Sequence, residues 1–241
     1  MTEKQLLDEK RFADIDYNLS VLRERVAEAA VRSGRQPEEI RIMAVTKTVA
    51  PEYINHAIAA GMSLIGENKV QEYLSKKPEL LPHTAHLIGH LQTNKVRQIV
   101  GEVDMIESVD SVHLAEEIGK RAAAIGKRMK VLAEINVGGE VSKTGIPWEA
   151  AEETVAQLAS IGSIEVCGLM AIPPFCEKSE DSRAFFSKMM QLFVDIRAKN
   201  IDNTNIKVLS MGMSSDYYEA VLEGSNLVRV GTSIFGGRNY R

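Results

Sequence analysis

Residues 41–52 read RIMAVTKTVAPE. Ile42, Met43, Ala44 and Val45 suit a strand covered on both faces, yet the run delivers Lys47 at its tip, just before a helix that Pro51 would start. A lysine there either keeps the strand end soluble or serves something that needs a primary amine. The pattern itself, a short apolar run followed by a helix start, recurs along the chain.

The apolar runs are RIMAVTK (41–47), SLIGEN (63–68), AHLIGH (85–90), DMIESVD (104–110), KVLAEINV (130–137), IEVCGLMAI (164–172), KVLSMGM (207–213) and NLVRVGTSIFG (226–236). Amphipathic segments fill the gaps at 51–60, 69–79, 93–102, 111–125, 147–161, 181–199 and 216–223, several opened by Pro, Ser or Asp and closed by Gly. Strict alternation with near-continuous apolar strands predicts parallel pairing buried on both faces. Eight repeats predict closure into a (β/α)8 barrel of the TIM type. The competing open doubly wound sheet would normally carry a GxGxxG loop in its first βα turn, and this chain has none.

Ahead of the barrel, residues 5–32 carry Phe12, Ile15, Leu19, Leu22 and Val26 at helical spacing, one apolar stripe that predicts an extra core-facing N-terminal helix ended by Gly34. The whole chain, 1–241, is expected to be one domain, with the barrel over about 41–236. A net charge of −4 with interspersed signs shows no nucleic-acid footprint. The charged start MTEKQLLDEKRF and the lack of any ~20-residue apolar run point to a cytoplasmic protein without a membrane partner. Cys167 and Cys176 form no CxxC pair and are expected to be reduced.

Barrels of this type place their sites where the carboxyl ends of the strands meet. Those ends are polar here: Lys47, Glu67-Asn68, His90, Asp110, Asn136, then SMGMSSD (210–216) and RVGTSIFGGR (229–238). The loops after the last two strands are where barrels tend to hold phosphate, and here Gly212 and Gly231 permit close backbone approach while Ser214 and Thr232 supply hydroxyls. Ser-Ser-Asp alone would equally serve as a helix cap. Arg229 shares parity with Leu227 and Gly231, so if Gly231 faces the barrel mouth the guanidinium does too, and a carboxylate or a ligand should meet a charge there.

His83, His86 and His90 invite a metal reading. However, four residues at ~3.3 Å each set His86 and His90 about 13 Å apart, too far for one ion. His90 alone is expected at the mouth.

An amine, a phosphate cup and an arginine match the aldehyde, phosphate and ring nitrogen of pyridoxal 5′-phosphate (PLP). Lys47 would act as the neutral amine, a form that partial burial favours. A sugar-phosphate enzyme would use the same cup and a lysine, and the flat-ring partner separates the two.

The motifs TKT (46–48), GENKVQE (66–72), HLIGHLQTNK (86–95), INVGGEVSKTG (135–145), GLMAIPP (168–174), LSMGMSSD (209–216) and VRVGTSIFG (228–236) resemble the pyridoxal-phosphate homeostasis protein family, also called proline synthetase co-transcribed proteins. The resemblance implies a fold similar to the amino-terminal barrel of alanine racemase, with PLP as an internal aldimine on Lys47. It further implies Asn68 and His90 along the ring, Met211 and Ser214 on the phosphate side, Gly231 and Thr232 at the phosphate, and Arg229 at the pyridine nitrogen. The racemase pattern takes its second base from a tyrosine of an additional domain and a partner subunit. This chain ends five residues after SIFG, and Tyr217, Tyr218 and Tyr240 read as packing or surface residues.

The expectation is therefore a monomeric PLP-binding protein without significant turnover. It would store, buffer or deliver the cofactor, with apo PLP-dependent enzymes as recipients. A weak amino-acid racemase is the enzyme alternative, and a PLP-sensing interaction protein is a third reading.

Overall fold

The computed structural model describes residues 3–140 and 144–237. Motif residues 141–143 and Tyr240 fall outside them. Among the described residues there are nine strands: β1 (Arg41–Val45), β2 (Leu64–Glu67), β3 (Thr84–Leu87), β4 (Met105–Val109), β5 (Met129–Asn136), β6 (Ile146–Pro147), β7 (Ile164–Ala171), β8 (Thr204–Ser210) and β9 (Leu227–Val230). All of them except β6 pair in parallel around a ring, which closes through β4–β5 and β9–β1. This is the (β/α)8 barrel. The unforeseen β6 is a two-residue edge beside the end of β5, where Pro147 has no N–H to offer a further strand.

Helices α1 (Glu3–Arg32), α2 (Pro51–Ala59), α3 (Val70–Lys76), α4 (Val96–Ile99), α5 (Val112–Ala124), α6 (Ala151–Ala159), α7 (Arg183–Ala198), α8 (Tyr217–Leu222) and α9 (Thr232–Phe235) surround the strands. None of them is long and apolar enough to cross a membrane. Alternate strand residues such as Ala44, Ile65, Leu87, Ile106, Val131 and Val228 join the helices in one continuous outer core. The opposite set fills the barrel in two small clusters, Met43, Val45, Leu64, Ile88 and Leu227 in one and Met105, Leu132, Cys167 and Met170 in the other. Both faces are buried, so the strands read as near-continuous apolar runs rather than alternating ones.

Between β7 and β8 the ladder slips at Gly168, whose φ is +153°. A Cβ there would lie 1.8 Å from the Val208 carbonyl oxygen, so the close approach requires glycine.

The helix α9 has four residues, too few to cover the β9–β1 seam. α1 packs there instead, against α2, α8 and α9, burying Ile15, Leu19, Leu22 and Val26 as the stripe predicts. Asn18 Nδ2 donates to the Ile234 carbonyl at 3.0 Å, satisfying an α9 end that would otherwise be orphaned. Gly34, at φ +74°, terminates α1 with the Arg35 N–H returning to Ala30 O at 2.9 Å.

Candidate functional site

β1 ends at Val45, and Lys47 lies half-buried in the turn beyond it rather than in the strand. Sheet register decides its neighbours. Val45 pairs with Gly66, so the turn that carries Lys47 leaves β1 beside the end of β2 that leads to Asn68, and Ala44 pairs with Val230, which sets Gly231 beside the exit of β1. A Cβ on Gly231 would come within 3.3 Å of Val45 O. Thr48 follows at φ +63°, a left-handed conformation that a β-branched residue rarely adopts and that costs about 1–3 kcal/mol.

The loops after β8 and β9 are stapled together. Ser214 Oγ accepts the backbone N–H groups of Gly231 at 3.1 Å and Ser233 at 3.3 Å, and Ser233 Oγ donates to Ser214 O at 3.3 Å. Two amides thus converge on one oxygen, the arrangement that also suits an anionic oxygen. Asp216 Oδ1 accepts the Met213 N–H at 2.6 Å and shapes the β8 loop, and burial pushes its carboxyl up. Thr232 is exposed at the first residue of α9. Met211 does not reach the mouth. Its parity is opposite to that of Ser210, so its side chain sits in the outer core while its carbonyl accepts from Ser225 Oγ at 2.8 Å.

Arg229 is buried inside the barrel rather than presented at its mouth, and a hydroxyl mediates what meets it. Its Nη1 donates to Ser210 Oγ at 2.6 Å and its Nη2 to Ala171 O at 2.9 Å, while Ser210 Oγ donates to Glu107 Oε2 at 2.6 Å. On the other side, Glu107 Oε1 lies 2.6 Å from His86 Nδ1. Burial alone would push the Glu107 carboxyl up, but the His86 bond and charge, Arg229 and Ser210 hold it below the usual carboxylate range. Burial lowers the Arg229 guanidinium, opposed by Glu107, Glu134 and Asp216. An arginine stays charged regardless.

This polar tier sits two residues beyond the apolar plug on the same strands: Met105 then Glu107, Leu132 then Glu134, Val208 then Ser210, Leu227 then Arg229. Sequence reading missed Glu107, Glu134, Ser210 and the role of His86. The available signal was a glutamate inside each of the apolar runs MIESV and LAEIN.

Above the tier, His90 Nδ1 lies 3.1 Å from Asp110 Oδ2, leaving an imidazole that is 53% exposed at the mouth. A cleft of about 160 Å³ opens here, lined by Asn68, Lys69, His90, Gln92 and Lys95. Lys69 and Lys95 thus stand at the mouth in addition to Lys47. Gly89 lets the two loops touch, since a Cβ would fall 2.3 Å from Asn68 O. Asn68 Oδ1 is buried with no hydrogen-bond partner, an arrangement that costs about 1–3 kcal/mol and leaves an acceptor for an incoming donor.

A larger cavity of about 460 Å³ opens at the other end of the barrel, among Tyr73, Lys77, His83, Glu102, Asp104 and Lys127. Its groups are paired with protein. Lys77 meets Glu102 at 2.8 Å, Asp104 accepts the Ala85 N–H at 2.8 Å, and Lys127 caps Val100 O and Val103 O at 3.0 and 2.6 Å. Burial, with Asp104 and Glu102, pushes the Tyr73 hydroxyl up to about 12. This end closes helix termini and strand starts, whereas the amine, the converging amides and the orphaned acceptor lie at the mouth.

The sequence model of the alanine racemase N-terminal domain matches residues 15–239. The chain is 41% identical over 224 residues to the pyridoxal phosphate homeostasis protein of Aquifex aeolicus, covering 92% of this chain and 97% of that protein. It is 38% identical over 232 residues to the protein of that name from Escherichia coli, covering 94% and 98%. The solved structure of PipY from Synechococcus elongatus with PLP bound superposes with a TM-score of 0.80 at 32% identity, covering 92% of this chain and all of that one.

Proposed function

This chain belongs to the pyridoxal phosphate homeostasis protein family, on the barrel shared with the alanine racemase N-terminal domain, and we propose that it binds PLP at the barrel mouth to store, buffer or deliver it. The observation that supports this reading is the register of β1 against β2 and β9, which gathers at one end of the barrel the turn of the half-buried Lys47, the loop with two convergent backbone amides and the unpaired buried acceptor of Asn68. PLP supplies an aldehyde that a lysine amine captures, and a ring that accepts electrons. Lys47 would hold the aldehyde carbon. The N–H groups of Gly231 and Ser233, with the hydroxyls of Ser214 and Thr232, would hold the phosphate. Arg229 would face the pyridine nitrogen, with Asn68 and His90 along the ring. Apo PLP-dependent enzymes are the natural recipients of cofactor so held.

The test is the visible absorption of purified protein with PLP before and after borohydride, followed by peptide mapping. A visible band that reduction fixes onto Lys47, and that Lys47→Ala abolishes, is expected. Label on Lys69 or Lys95, or a band retained in Lys47→Ala, overturns the assignment.

One observation favours a second reading, weak racemase or exchange activity. Asp110 orients His90 at the mouth as it would a general base. Against it, a guanidinium near the pyridine nitrogen disfavours the proton that makes the ring a strong electron sink. Tyr217 is packed in the core, and Tyr218 hydrogen-bonds Glu28 at 2.7 Å and Arg32 at 2.8 Å on the outer surface.

A further inference from the structure

Three side chains with no role in holding the cofactor grip the turn that carries Lys47. Lys76 Nζ donates to Thr46 O at 2.9 Å, Glu72 Oε1 accepts the Thr48 N–H at 2.5 Å, and Glu67 Oε2 accepts from Thr46 Oγ1 at 3.0 Å. The three also bind each other, with Lys76 Nζ 3.3 Å from Glu67 Oε2 and 2.5 Å from Glu72 Oε1. The Lys76 side chain is only 12% exposed, and its three donors have three oxygens. Glu67 Oε1 accepts the Asn68 N–H at 2.9 Å, so the same carboxylate joins the Lys47 turn to the mouth wall.

A buried ion cluster is weak evidence for stability, because apolar packing of the same volume does as well. Here, however, its contacts converge on the residues either side of Lys47, and one of them receives the N–H of Thr48, the strained residue. Burial pushes the Glu67 carboxyl up. The Glu72 carboxyl is raised by burial but brought down further by Lys76 and the Thr48 N–H. Strain held in place by surrounding charges is a mark of pre-organisation.

We propose that Lys76, with Glu67 and Glu72, is a positioning residue: a clamp that fixes the backbone on both sides of Lys47 and so sets where the amine meets the cofactor aldehyde. This role rests on the reading of Lys47 as the cofactor lysine, while the clamp can be measured without cofactor.

The test compares wild type with Lys76→Met and Glu72→Gln, the latter keeping an oxygen for Thr48 if the former loses too much stability. In cofactor-free protein, exchange of the Thr48 amide followed by NMR should accelerate at least about tenfold, with core amides such as Leu169 unchanged. In PLP-loaded protein, decay of the visible band on dilution should also be about tenfold faster. Lys77→Met, which breaks the Lys77–Glu102 pair at the far end, should change neither. A lowered melting temperature with wild-type Thr48 exchange and wild-type release overturns the proposal. Wild-type protein that forms no bond at Lys47 overturns the reading of that lysine and this role together, whereas normal loading with unaltered release in Lys76→Met overturns this role alone.

Discussion

Ser214 Oγ accepts the N–H of Gly231 at 3.1 Å, across seventeen residues of chain, and so ties the β8 loop to the β9 loop at the barrel mouth. The hydroxyl accepts from two amides and can turn its own proton toward an incoming anion. Removing it should weaken PLP binding about tenfold to a hundredfold, the worth of a hydrogen bond to a charged acceptor, roughly 1.5–3 kcal/mol. Thr232→Ala should do the same. Titration with pyridoxal, which lacks the phosphate, should show no change for either variant, and equal losses for pyridoxal and PLP would make both residues loop caps.

Glu107 and Glu134 are buried on the paired strands β4 and β5, and their carboxyls are shifted in opposite directions. Glu107→Gln leaves Arg229 and His86 facing a neutral group and should cost about 3–5 kcal/mol in denaturant unfolding. Since the folded carboxyl is held below its unfolded value, its contribution is present above pH ~4.3 and is lost as pH falls through the depressed folded value. Wild type and variant should therefore converge in acid.

Burial pushes the Glu134 carboxyl up, against the hydrogen bond from Thr144 at 2.9 Å. A raised acid destabilises the fold above its folded value, and that cost disappears below pH ~4.3. Glu134→Gln keeps an acceptor for Thr144 without the buried charge. At neutral pH it should be as stable as wild type or more so, with any gain vanishing on acidification. A loss of several kcal/mol at pH 7 would show that the charge itself supports Arg229.

The α1 seam is open to a packing test. Leu22 is buried against the outer core, and Leu22→Ala should cost about 2–5 kcal/mol. Asn18→Ala, which removes the bond to Ile234 O, should cost about 1 kcal/mol. Effects within 0.5 kcal/mol for both, in the usual range of surface substitutions, would mean that α1 is dispensable to the barrel.

Steady-state racemase and transaminase assays on a panel of amino acids with saturating PLP should stay near background. Turnover on the order of 1 s⁻¹ or faster, within the usual enzyme range, that is lost in both Lys47→Ala and His90→Ala would move the protein to the enzyme reading, with the His90–Asp110 pair as base.

The barrel was legible in the sequence because its cues are local. Each strand is an apolar run, each helix a 3.6-residue stripe, and Pro, Ser, Asp and Gly mark the joins. The mouth residues Lys47, Asn68, His90, Ser214 and Gly231 could be picked out for the same reason, since parallel strands all end on one side. What meets what was decided only by tertiary structure. Ser210 and Glu107 are 103 residues apart, and nothing near either predicts a hydroxyl bridging a carboxylate to Arg229. Such pairings exist only once β4–β5 and β9–β1 have closed the ring at a particular register. The same holds for Lys76, which local pattern places on an ordinary helix end and the fold places under Thr46, and for Met211, whose position beyond Ser210 turns it into the core. A one-dimensional pattern carries period and punctuation. The burial that makes a charge seek a partner, and the distance at which it finds one, arise from closing the chain on itself.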